Sequence, residues 1–101
     1  MPASSDPPVA QTGPEPASGA LTGVVLPAHL HARPAGALVQ VAARFSSTVE
    51  LSYGGRTANA RSVLAVMGLG AVAGSMVFVR ATGDDAAEAL KAVIDVLVNA
   101  V

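Results

Sequence analysis

Leu30-His31-Ala32-Arg33-Pro34-Ala35-Gly36 places a titratable imidazole where a helix should start. Pro34 fits only the first helical turn, because its missing N–H has no intrahelical partner to lose there. Behind it Leu38, Val41, Ala42 and Phe45 recur at helical spacing, which predicts an amphipathic helix from about Ala32 to Arg44. His31 then lies at or just before the helix N-terminus, where free N–H groups and the positive dipole end favour an anion. Arg33 works against that dipole unless a doubly negative group comes and goes beside it. A phosphoryl group carried on His31 is such a group. The backbone N–H groups of Ala32 and Arg33 and the Arg33 guanidinium would hold its oxygens, and a neutral ring nitrogen of His31 would attack phosphorus. The plainer alternative is that His31 flanks a surface helix and Arg33 is simply solvated.

The elements that must position this stretch come from a short chain. Its 101 residues suffice for one domain with one modest core. Cysteine is absent, which excludes disulfides and thiolate metal sites and fits a reducing, cytoplasmic setting. Phe45, Tyr53 and Phe78 are the whole aromatic complement, too few for a base-stacking platform, and a net charge of −1 argues against nucleic acid as a partner. Charge is unevenly spread: between Ala17 and Gly83 five arginines face Glu50 alone, a local balance of +4. That basic share surrounds the histidine in sequence and suits a phosphate or an acidic partner surface.

Residues 1–19 hold five of the seven prolines with Ser and Ala between them, and lack the basic and apolar regions of a secretory signal. They read as a disordered extension, leaving 20–101 as the folded domain. Ala20–Leu26 predicts a strand. Thr48–Tyr53 alternates with Val49, Leu51 and Tyr53 on one face, Gly54-Gly55 supplies a hairpin turn, and Arg56–Ala60 returns as the partner strand. Ser62 is a good N-cap for a short helix to Leu69, whose Val63, Leu64, Val66 and Met67 lie all round and cannot all be buried. Met76–Ala81 is another alternating strand. Asp85-x-x-Glu88 resembles a capping box opening a helix to about Ala100, with Leu90, Val93, Ile94, Leu97 and Val101 as its apolar stripe. The order β-α-β-β-α-β-α predicts an α+β fold, a four-stranded antiparallel sheet with three helices on one face. The uncharged run Ser62–Val79 competes as a membrane span, but its glycines and the half-buried elements on either side argue against insertion.

With both motifs in view, the chain from Ala17 to Val101 resembles HPr, the histidine-containing phosphocarrier family of the bacterial phosphoenolpyruvate-dependent sugar phosphotransferase system. Leu30–Ala35 is similar to the family's phosphohistidine motif, and Asn59–Gly70 to its regulatory-serine motif and following short helix. The resemblance implies an open-faced β-sandwich. It also implies that His31 accepts phosphate through Nδ1 from enzyme I and donates it to an EIIA component, with Arg33 steadying the phosphate. Val63, Leu64 and Met67 would form the docking surface, and Ser62 would be the target of an HPr kinase/phosphorylase or, failing that, a plain cap. Such a protein is a stoichiometric carrier and not an enzyme with turnover of its own; the expected form is a monomer with no cofactor and no metal. Two alternatives share the fold: a dihydroxyacetone kinase phosphorelay domain and a regulatory binding module. The sequence departs from the family at His29, where glycine is usual. His29-x-His31 can be read as a metal pair or, more simply, His29 as a tolerated loop residue.

Overall fold

The computed structural model describes residues 19–100, so residues 1–18 of the proline-rich extension lie outside the described residues, while Gly19, placed in the extension by the sequence, opens the first strand. Strand β1 (Gly19–Val25) is followed by helix α1 (Ala32–Ala42), strands β2 (Thr48–Tyr53) and β3 (Arg56–Asn59), helix α2 (Val63–Gly68), strand β4 (Met76–Thr82) and helix α3 (Ala86–Val98). Every pairing is antiparallel, and the sheet runs β1-β4-β2-β3, so β4 enters between the first strand and the hairpin. This is the expected open-faced sandwich of four strands and three helices.

Alternation decides which face is covered. Val24, Val49, Leu51, Ala58, Val77, Val79 and Ala81 are buried on the inner face, while Leu21, Val25, Glu50, Met76, Phe78 and Arg80 point the other way and stay exposed. Helix α1 contributes Pro34, Ala35, Leu38 and Ala42 to the core, and α3 contributes Ala86, Ala89, Leu90, Val93 and Leu97. The β2–β3 hairpin turns on Gly54 and Gly55 with φ of 58° and 80°, the sign that a two-residue hairpin turn demands.

The predicted capping box does not form. Asp85 is the N-cap of α3, but its carboxylate makes no capping bond. It instead accepts from the backbone N–H groups of Ser46 (3.0 Å) and Ser47 (2.9 Å) and from both serine hydroxyls. The acid therefore clamps the α1–β2 connection onto the start of α3. The Ser47 hydroxyl first, then the Ser46 amide, hold the Asp85 carboxyl down at about 2 from its ordinary 3.8. A depressed carboxyl stabilises the fold above its unfolded value, and that contribution is lost as pH falls through the folded one. Wild-type melting temperature should therefore drop between pH 4 and about 2 more steeply than that of Asp85→Asn. Parallel acid curves for the two proteins would show that the clamp does not depend on the charge.

Candidate phosphoryl-acceptor site

Helix α1 starts where the proline required. His31 is its N-cap, with extended backbone (φ −78°, ψ −176°), and its carbonyl accepts from the Ala35 N–H at 3.0 Å. The His31 side chain makes no capping bond, so the imidazole is exposed and not committed to the helix. Buried Leu30 on one side and Pro34 and Ala35 on the other fix the backbone around it. Ala32 and Arg33 are the first two helical residues, so their N–H groups belong to the unsatisfied donors of the first turn. The exposed Arg33 guanidinium has no hydrogen-bond partner among the described residues. Two backbone donors thus lie at the imidazole, whereas Arg33 lines a separate cleft with Pro34, Ala37, Val96, Asn99 and Ala100, so its guanidinium must swing toward the ring to share in holding a dianion there.

Helix α2 meets this site with its C-terminal end. Met67 lines a shallow depression of about 220 Å³ together with His29, Leu30, His31, Gly70, Ala71 and Val72. The short helix buries Val66 completely and leaves Leu64 83% and Met67 39% exposed, the outcome expected of apolar residues on every face of two turns. Val63 is half-buried against the core, so it supports the apolar surface more than it presents it. Ser62 caps the far end of α2, its hydroxyl accepting from the Ala65 N–H at 3.2 Å. It is not part of the depression. Met67 lies five positions further along the helix, about 7.5 Å along the axis.

The five arginines do not gather round the histidine as their sequence positions suggested. Arg56 donates to the Gly68 carbonyl at 3.2 Å and so closes the C-terminal end of α2 beside Met67. Arg61 donates to the Phe45 carbonyl. Arg44 follows the opposite end of α1, and Arg80 lies on the open sheet face in register with Glu50. Arg33 in the first turn of α1 and Arg56 at the end of α2 are the arginines carried by or bonded to the helix ends that form the site.

His29, for which the sequence offers a metal-pair or a plain loop reading, is tied down by its own side chain. Its Nδ1 accepts from the Ala73 N–H at 2.9 Å, and its ring stands edge-on to that of His31. Among the described residues no group of three or more His, Asp or Glu side chains gathers as metal ligands would. No helix among them is long and apolar enough to cross a membrane, because Gly70 and Gly74 end and turn the uncharged stretch into loop and then strand.

Comparison with known proteins gives a consistent picture. The family described as the PTS HPr component phosphorylation site matches residues 22–99. The phosphocarrier protein HPr from Bacillus anthracis is 34% identical, with 78% of this chain and 96% of that one aligned at a TM-score of 0.74. Crh, the Bacillus subtilis catabolite repression HPr, is 36% identical over 82% of this chain and 99% of its own, with a TM-score of 0.67. An HPr dimer from Thermoanaerobacter tengcongensis is 44% identical over 65% of this chain and 76% of that one, at 0.61.

Proposed function

The chain belongs to the HPr family of the phosphotransferase system, and we propose from that premise that His31 takes a phosphoryl group from phospho-enzyme I and passes it to an EIIA component of sugar transport. The observation that carries this reading is an exposed imidazole at the N-cap of α1, uncommitted by any capping bond, with the first-turn N–H groups of Ala32 and Arg33 behind it and an Arg33 guanidinium that has no hydrogen-bond partner among the described residues. The Nδ1 lone pair of a neutral His31 forms the new N–P bond as the donor's N–P bond breaks, with the ring proton on Nε2. The protein supplies position and charge, and the first-turn N–H groups must hold the phosphate without trapping it. Leu64 and Met67, backed by Val63, form the apolar surface on which enzyme I and EIIA dock in turn. The carrier works as a cytoplasmic monomer. The test is transfer from phosphoenolpyruvate through enzyme I to this chain and on to EIIA, with one phosphoryl group per chain.

A regulatory binding role, such as the name of the related Crh suggests for that protein, is the second reading. A domain that only binds has no need of an exposed imidazole and guanidinium at one helix start, which favours the carrier. A dihydroxyacetone kinase relay would use the same site with different partners.

Arg33 steadies the phosphate more than the fold. Removing a first-turn cation relieves a clash with the dipole, so Arg33→Ala should keep its melting temperature. Its transfer rate should fall roughly ten- to a hundredfold, the worth of one charge-assisted hydrogen-bond pair. Normal transfer with a large loss of stability would reverse the assignment.

Ser62 is the proposed control point. An aspartate there can accept the same Ala65 N–H, and its charge suits the N-terminus of α2, so Ser62→Asp should fold normally. Its charge lies beside apolar groups that lose water on docking, so the KM for enzyme I should rise clearly. Ser62→Ala should dock normally and lose only the cap, about 1 kcal/mol. Equal binding of enzyme I by Ser62→Asp and wild type would leave Ser62 as a cap alone.

A further inference from the structure

We propose that His29 is a positioning residue for phosphoryl transfer: its anchored ring braces the His31 imidazole. The inference rests on His31 being the acceptor, and it begins with how the two loops beside the site are joined. Backbone bonds tie residues 26–30 to residues 71–75: Leu26 N–H to the Ser75 carbonyl (2.9 Å), Gly74 N–H to the Leu26 carbonyl (2.8 Å) and Leu30 N–H to the Ala71 carbonyl (3.2 Å). His29 adds the side-chain rung, its Nδ1 accepting from the Ala73 N–H at 2.9 Å. That bond fixes the plane and direction of the His29 ring, and it leaves Nε2 to carry the proton of the neutral imidazole.

The anchored ring then meets His31. Their centroids are 5.3 Å apart and their planes 84° from each other, an edge-to-face arrangement. No hydrogen bond among the described residues restrains the His31 side chain, which is exposed and makes no capping bond. An unrestrained imidazole would sample several rotamers, of which few present one chosen nitrogen to phosphorus. The ring of His29 removes part of that freedom before a partner arrives. His29 therefore acts through His31 and touches no substrate. A glycine at position 29 would supply neither the rung nor the brace.

His29→Asn separates the two parts, since the asparagine Oδ1 can occupy the place of the histidine Nδ1 and keep the bond to Ala73 while the ring is lost. In the full chain this variant should melt with wild type and keep its KM for phospho-enzyme I. NMR relaxation of the His31 ring should show new rotamer averaging, and the transfer rate constant should fall roughly tenfold. A wild-type rate with an unchanged His31 ring would overturn the proposal and leave His29 as a loop tether. So would a loss appearing wholly in KM, which would make His29 a docking residue. Should His29→Asn fail to fold, wild type decides by itself. Coupling across the hydrogen bond between the Ala73 amide and His29 Nδ1, with cross-peaks between the two rings, is expected, and their absence refutes the brace. A wild-type chain that takes no phosphate on His31 would overturn the carrier reading instead, while the NMR arm, which needs no transfer, would still decide the ring contact.

Discussion

His31→Ala is expected to lose phosphoryl acceptance from phospho-enzyme I altogether, by at least about a thousandfold, because the substitution removes the proposed nucleophile itself. The fold should barely notice. The His31 side chain is exposed and caps nothing, so the change falls among surface substitutions worth within about 0.5 kcal/mol. Labelling with phosphoenolpyruvate and enzyme I, run beside a thermal melt, separates the two effects. Residual label at the wild-type level would move the acceptor elsewhere, and His29 is the first residue to examine, since its ring stands beside that of His31.

The largest expected loss of stability follows from a backbone contact. Gly83 joins β4 to α3 with φ of +143°, a region that side chains rarely adopt. A Cβ there would lie 2.6 Å from the Ser47 hydroxyl oxygen and 2.8 Å from the Ser47 Cα. Neither neighbour can move freely, since Ser47 is buried and bonded to Asp85 through both its amide and its hydroxyl. Gly83→Ala should therefore cost about 3 kcal/mol or more, backbone strain and overpacking together, and loosen the Asp85 clamp. Gly54→Ala is the control: φ is +58° but nothing lies within 4 Å, so only the backbone penalty of about 1 kcal/mol remains. Denaturant midpoints for the two variants measure the difference. Equal midpoints would mean that the Ser47 loop shifts without cost.

How much could be read from sequence depended on how local each cause was. Thr48–Tyr53 and the Gly54-Gly55 turn were legible because alternation and positive φ are properties of neighbouring residues. The start of α1 at Ala32, with Pro34 in its first turn, and the Ser62 cap were legible for the same reason. Helix ends ran long: α1 stops at Ala42, two residues before Arg44, and α3 at Val98, where Asn99 turns back to the Asp95 carbonyl. Asp85 looks like a capping-box residue in sequence because its actual partners are 38 and 39 positions away, where no short motif reaches. His29 was undervalued for the same reason, its anchor being the amide of Ala73, 44 positions on. The arginines looked like one basic patch because sequence distance hides which end of a helix each one occupies.

The central claim is that the imidazole of His31 carries the phosphate on Nδ1. The most direct test is NMR of the uniformly ¹⁵N-labelled full chain during incubation with phosphoenolpyruvate and catalytic enzyme I, reading phosphorus–nitrogen coupling at each histidine ring. The account predicts one phosphoramidate, at Nδ1 of His31, labile in acid and stable in alkali, with the His29 ring unmodified. Phosphate on His29, or an acid-stable ester on Ser62 as the sole product, would contradict it.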